Sequence, residues 1–172
     1  EAGLHQLEVL YFERSGAQTL ELEWQGPDTG GQLQVLTGES LVHDPSPEAV
    51  SEPEPTADSS AGNTGLAAEY FTLPAGVSKL SDIDFTAAPD ATGVVGALDM
   101  VRSNDPFWQD GATDNFASRY TGALVVETAG LYTFRLTSDD GSALRIDGAQ
   151  VIDNDGLHAA LTREVTLDLE AG

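Results

Sequence analysis

The chain has 172 residues, and 29 Asp and Glu against 7 Lys and Arg give it a formal net charge of -22. A surface this acidic repels phosphate backbones and anionic lipid, which excludes nucleic acid and membrane surfaces as partners and favours divalent cations. The lack of Cys excludes disulfides and thiol chemistry, while 18 Gly and 8 Pro indicate one turn-rich domain with a linker rather than long helices.

Two strands are predicted near the beginning of the chain. In LHQLEVLYF, residues 4–12, the apolar residues Leu7, Val9 and Tyr11 occupy alternate positions, as a half-buried strand requires. In TLELEW, residues 19–24, apolar and acidic residues alternate in the same way. The short connection between the two strands contains a glycine, so the sequence predicts an antiparallel hairpin.

Residues 39–64 differ in composition from the rest of the chain. They carry six Asp and Glu, no Lys or Arg, and several Pro, Ser and Gly. Such a stretch cannot bury enough apolar area to offset the entropy of ordering it. We therefore expect an acidic, Pro- and Ser-rich extended linker.

Strand patterns resume after Gly65. The predicted strands span residues 66–71, 122–127, 131–137, 142–148, 150–153 and 164–169. Turn signals such as Asp147-Gly148 separate them, and many short strands with frequent turns indicate an all-β antiparallel sandwich or barrel. Residues 72–121 show less periodicity and are predicted to form long loops with one short helix.

A family resemblance lies in residues 114–156, DNFASRYTGALVVETAGLYTFRLTSDDGSALRIDGAQVIDNDG, which follow a GLAAEYF strand at 65–71. The RYTG, AGLYTF, SDDGSALRIDG and VIDN elements, in this order, resemble the protective-antigen-like (PA-14) domain family. This resemblance implies an antiparallel β-sandwich with long loops. In family members, strands of the HQLEVLYFE and TLELEWQGP types come after this stretch, whereas here they precede it. The order of strands is therefore permuted relative to the family.

The permuted order divides the domain into parts. Residues 65–172 supply the first part of the sandwich, residues 1–38 supply the strands that complete it, and residues 39–64 link them. The chain begins and ends with Glu-Ala-Gly, which together with the permutation indicates a piece of a tandem array. Residues 1–38 complete either their own chain or a swapped neighbour, and the slack linker favours their own chain through its high effective concentration.

The candidate site begins with Asp139 and Asp140, which precede Gly141. Two adjacent carboxylates repel one another unless a cation shares them, and calcium prefers such oxygen ligands. From the residues alone, the three positions also fit an ordinary β-turn. The family resemblance implies a calcium site in which the Asp139-Asp140 peptide bond is cis and both carboxylates face the ion.

The resemblance also implies that the remaining calcium ligands come from the loop after the TLELEW-type strand. In this chain that loop contains Gln25, Gly26 and Asp28, whose oxygens would complete the site. Asp139 and Asp140 would then hold both the calcium ion and, through it, a sugar.

The resemblance therefore implies a calcium-dependent lectin module, in which the ion would hold two neighbouring hydroxyls of a hexose or deoxyhexose. Such a module would belong to a secreted or cell-surface bacterial adhesin, with neighbouring repeats as further partners. The alternative is a structural spacer repeat in which calcium only rigidifies the protein. Glycosidases need two carboxylates across a cleft in different environments, which adjacent aspartates do not supply, so we expect no enzymatic activity.

Overall fold

The computed structural model describes residues 3–43 and 63–171, which form β-strands joined by loops and short 3-10 turns. Most of the predicted linker, residues 44–62, lies outside the described residues. The strands are β1 (Gly3–Glu13), β2 (Gln18–Gln25), β3 (Gln34–Val35), β4 (Leu41–Val42), β5 (Leu66–Thr72), β6 (Ala91–Val95), β7 (Asp99–Ser103), β8 (Phe116–Val126), β9 (Gly130–Asp139), β10 (Ser142–Ile146), β11 (Ala149–Asn154) and β12 (Leu161–Leu169).

The strands form two antiparallel sheets, so the predicted β-sandwich is confirmed. The larger sheet has the order β11-β10-β1-β8-β5-β6, with β4 also paired to β8. The smaller sheet has the order β12-β9-β2-β3, with β7 also paired to β2. No helix in the described part of the chain has the length and hydrophobicity needed to cross a membrane.

A continuous core fills the space between the sheets. In β9, Tyr132, Phe134 and Leu136 are fully buried, which is the alternation predicted for this strand. Trp24 of β2 stacks on Tyr132, with ring centroids 5.4 Å apart. Burial of each such large side chain contributes about 1.5–3 kcal/mol, so these alternating residues determine which face of each strand turns inward.

The predicted hairpin between the first two strands is wrong. β1 pairs with β8 and β10 in the larger sheet, whereas β2 pairs with β9 and β7 in the smaller one. The connection at residues 14–17 therefore crosses from one sheet to the other. β1 is a central strand buried on both faces over its second half, since Leu10 and Phe12 are buried as well as Val9 and Tyr11.

Residues 72–121 contain more strand than predicted. They hold β6, β7 and the first half of β8, and their one helical element before β6 is the single 3-10 turn Leu80–Asp82. β6 and β7 escaped prediction because they are largely exposed and lack apolar alternation. Leu41–Val42, placed in the predicted linker, instead forms β4 against β8.

Candidate metal centre

Asp139 and Asp140 lie where β9 turns into β10 at one end of the sandwich. The peptide bond between them is cis, as the family resemblance implies. The turn is packed closely, because a Cβ atom at Gly141 would meet the Phe12 ring and would lie 2.8 Å from the backbone nitrogen of Gly156. Glycine is therefore required directly after the two aspartates.

A third carboxylate reaches the same place from the end of β1. Glu13 is completely buried, and ligand oxygens of Glu13, Asp139 and Asp140 all lie within 4.8 Å of one another. Asp140 is 8% exposed, and Asp139 is more open to solvent. These three side chains form the acidic cluster.

Two loops hold the Asp140 carboxylate from opposite sides. Its Oδ2 accepts a hydrogen bond from the backbone nitrogen of Arg14 at 3.0 Å. Its Oδ1 accepts one from the backbone nitrogen of His158 at 3.1 Å. Asp140 thus joins the β1–β2 connection to the β11–β12 connection, and both its oxygens retain lone pairs for a cation.

Glu13 has one satisfied and one unsatisfied oxygen. Its Oε2 accepts a hydrogen bond from the backbone nitrogen of Asp140 at 3.1 Å and lies 3.2 Å from the Tyr11 hydroxyl. Its Oε1 is buried and has no hydrogen-bond partner. An unpaired buried carboxylate oxygen is costly, and an oxygen-binding cation beside it removes that cost. The residues present therefore fit a metal ion.

The electrostatics of the cluster favour the same conclusion. Burial, followed by the nearby charge of Asp140, raises the pKa of Glu13 to about 7. Burial and the charge of Asp140 also raise the pKa of Asp139. Both shifts mean that burial and mutual repulsion disfavour the ionised carboxylates, so a divalent cation would stabilise the ionised cluster.

The structure does not bring the predicted loop residues Gln25, Gly26 and Asp28 to the cluster. β2 runs antiparallel to β9, with Thr19 opposite Asp139 and Gln25 opposite Thr133. At about 3.4 Å per residue, the loop lies about 20 Å along the strand from Asp139. This placement corrects the prediction, because the start of β2, rather than its end, lies beside the aspartates.

The loop after β2 instead packs against the β8–β9 turn at the opposite end of the sandwich. Gly26 lies against the Tyr132 ring, with no room for a Cβ atom. Asp28 Oδ2 accepts a hydrogen bond from the backbone nitrogen of Glu127 at 2.8 Å. Asp28 therefore stabilises a turn at that end.

Glu13 was missed by reasoning from sequence, although a signal for it exists. Leu7, Val9 and Tyr11 occupy the inward face of their strand, and Glu13 is the next residue in that register. A carboxylate on the core-facing side of a strand is unusual and points to a buried polar function. The backbone contacts of Arg14 and His158 had no comparable signal in the sequence.

Comparison with known protein families gives a match over most of the chain. The family model described as the PA14 domain matches residues 62–172, which is more than half of the chain and includes Asp139 and Asp140. No curated protein and no solved structure matches the chain. Residues 3–43, which supply Glu13, lie outside the matched range. On the strength of the match to residues 62–172, this chain belongs to the PA14 domain family.

Proposed function

We propose that this chain is a calcium-dependent carbohydrate-binding module, without enzymatic activity, of a secreted or cell-surface bacterial adhesin. The observation that carries the proposal is the acidic cluster, in which Glu13 offers a buried, unpaired oxygen beside Asp139 and Asp140. Membership of the PA14 domain family is compatible with carbohydrate binding. The strongly acidic composition, with a formal net charge of -22, suits a protein that binds divalent cations.

Calcium would be held by Glu13, Asp139 and Asp140, because it takes six to eight oxygen ligands and accepts carboxylates readily. The bound ion would use its remaining positions to bind two neighbouring hydroxyls of a hexose or deoxyhexose. The protein's own part is to orient the carboxylates. The Tyr11 hydroxyl donates to the backbone oxygen of Asp139 at 2.6 Å and also contacts Glu13, so it fixes both groups.

A spacer repeat, in which the ion only rigidifies the protein, is the second candidate. It is favoured by the hydrogen bonds from Arg14 and His158 to Asp140. These contacts already tie two loops to the acidic cluster, so an ion bound there would stiffen one whole end of the sandwich. This function shares the calcium site with the first and differs only in having no sugar ligand.

The test is a glycan array probed with the labelled chain in saturating calcium and again in a calcium chelator. Sugar binding that disappears with the chelator and in Asp140→Ala supports the lectin module. Asp28→Asn is the matched control, because it alters one carboxylate at the opposite end of the sandwich and leaves the acidic cluster intact. An array without signal in calcium, from a protein that calcium measurably stabilises, would replace the lectin by the spacer.

A further inference from the structure

The outer-sheet cavity, of about 470 Å³, lies on the outer face of the larger sheet. Its floor is formed by side chains that alternate with core residues along their strands, namely Glu8 and Leu10 of β1, Arg119 of β8 and Arg145 of β10. Residues from the segment 80–86 form one wall. The volume lies within the range of roughly 300–1,000 Å³ that small-molecule sites occupy.

The wall is fixed to the sheet by apolar packing and by a hydrogen bond. Phe85 packs against the buried cluster on this face, and its ring meets that of Phe71 edge to face, with centroids 5.5 Å apart. The backbone nitrogen of Leu80 donates to Asp155 Oδ1 at 2.8 Å. The cavity is therefore formed before a ligand arrives, so binding does not have to order the wall.

Two arginines lie on either side of β1 at the floor of the outer-sheet cavity. Arg145 is opposite Glu8 and Arg119 is opposite Leu10, so their backbones are roughly 10 Å apart across the sheet. Arg145 Nη1 donates to Glu8 at 2.8 Å, and Arg119 Nε donates to Glu69. Within the described part of the chain, no hydrogen bond uses their other guanidinium nitrogens. Both arginines can therefore donate to one ligand seated between them.

Carboxylate oxygens that can accept hydrogen bonds line the same space. Asp84 Oδ1 accepts from Thr86, Asp153 Oδ1 accepts from the backbone nitrogen of Asp155, and Asp155 Oδ1 accepts from that of Leu80. No hydrogen bond among the described residues uses the Oδ2 atom of any of these three aspartates. Each aspartate thus keeps an acceptor for a ligand.

The charges of the lining indicate the class of ligand. Four carboxylates and two arginines line the outer-sheet cavity, so an anion is disfavoured. A cation is disfavoured too, because two of the seven Lys and Arg residues of the whole chain lie here. A neutral polyol fits this mixed set, since every hydroxyl both donates and accepts. The carbon face of a sugar ring also matches the apolar surface of Leu10 and Phe85.

We propose that the outer-sheet cavity binds a neutral saccharide without calcium, as a second ligand site separate from the acidic cluster. Arg119 and Arg145 would bind its hydroxyls, together with the amide of Gln150, which is opposite Arg145 in β11. Leu10 and Phe85 would pack against the ring. Binding here requires neither a metal ion nor the acidic cluster, so it stands or falls independently of the proposed function.

The test is a glycan array probed with the labelled chain in a calcium chelator. Neutral glycans should remain bound, and Arg145→Gln should weaken that binding about ten-fold, because a charged donor is lost. Gln150→Ala should weaken it as well. Arg135→Gln is the matched control, since Arg135 also lies beside carboxylates and is similarly exposed, 36% against 40% for Arg145, but belongs to the smaller sheet. Its binding should equal that of the wild type.

The outcomes separate this site from the acidic cluster. Glycans that are bound in calcium and lost in the chelator report on the acidic cluster, and an array left blank by the chelator overturns the second site alone. Signal from sialylated or sulfated glycans only would also overturn it, because the lining is matched to a neutral ligand. Binding that keeps its full strength in both Arg145→Gln and Gln150→Ala would place the sugar elsewhere. Gln150 is exposed, so its replacement keeps the test decisive if Arg145→Gln unfolds in circular dichroism.

Discussion

Both ends of the sandwich contain carboxylates, but these differ in their hydrogen bonds and in the direction of their pKa shifts. At one end, Glu13 is buried with an unpaired oxygen, and burial followed by the charge of Asp140 raises its pKa to about 7. At the other end, burial acts to raise the pKa of Asp28. Hydrogen bonds, chiefly the one from the Glu127 backbone, have the larger effect, so the pKa is lowered. A carboxylate that accepts hydrogen bonds from N–H donors stabilises the fold, whereas crowded carboxylates with an unpaired oxygen could hold a metal ion.

His5 also stabilises the fold at the end of the sandwich that contains Asp28. Its Nδ1 atom lies 2.8 Å from Asp147 Oδ2 and its Nε2 atom 3.0 Å from the backbone oxygen of Glu170. Both partners are acceptors, so the doubly protonated ring satisfies both. This contact ties β1, the β10–β11 turn and the end of β12 together, far from the acidic cluster.

The largest expected effect concerns the acidic cluster and the calcium ion proposed to bind there. Calcium at a hundred times its dissociation constant stabilises a protein by about 2.7 kcal/mol, which for a chain of this length raises the melting temperature by about 5–10 °C. Asp140→Asn should abolish most of that rise, because it removes a ligand charge. Differential scanning fluorimetry with and without calcium measures it. A full calcium-dependent rise in the variant would place the ion elsewhere.

The next effect concerns Glu13 in the absence of calcium. Its folded pKa is raised above the unfolded value, so stability is lost as the pH rises from about 4.5 to about 7. Glu13→Gln should therefore make the calcium-free protein more stable at pH 8, on the order of 2 kcal/mol, and no more stable near pH 4. Urea unfolding in a chelator at both pH values measures this. Calcium should stabilise the variant less than the wild type, and equal calcium stabilisation of the two would remove Glu13 from the site.

A smaller effect is expected for His5, at the end of the sandwich opposite the acidic cluster. Burial lowers the pKa of His5, but its hydrogen bonds to Asp147 and Glu170 outweigh burial and leave the pKa raised. The stabilisation from His5 is therefore complete below its unfolded pKa and is lost as the pH rises through the folded value. His5→Ala should cost about 1 kcal/mol at pH 5.5 and less at pH 8, by urea unfolding. A cost that grows with pH would contradict this assignment.

The smallest effect is expected for Asp28→Asn. An amide oxygen can still accept the hydrogen bond from Glu127, so the cost in unfolding free energy should be about 0.5 kcal/mol or less. The calcium-dependent rise in melting temperature should equal that of the wild type, because the two ends lie too far apart to couple. Loss of that rise would instead support the original prediction that the loop after β2 supplies calcium ligands.

Alternation of apolar side chains predicted an all-β antiparallel sandwich or barrel, and the family resemblance implied the sandwich that the structure shows. Tyr132, Phe134 and Leu136 lie inward as their spacing requires, since a period of two residues determines which face of a strand is buried. The adjacent pair Asp139 and Asp140 also stood out in the sequence, although the residues alone fit a β-turn equally and the family resemblance was needed to suggest a calcium site. These features depend on residues close together in the sequence.

The arrangement of strands in the two sheets and the position of Glu13 depend on pairing between strands that are distant in the sequence. The sequence does not show that β1 and β2 lie in different sheets, since alternation is the same in either arrangement. It also does not show that Thr19, rather than Gln25, lies opposite Asp139, or that Glu13 ends its strand beside Asp140. Register and direction depend on how the whole core packs. The sequence by itself therefore determined the fold class and two of the three carboxylates, while the tertiary structure alone determined the third.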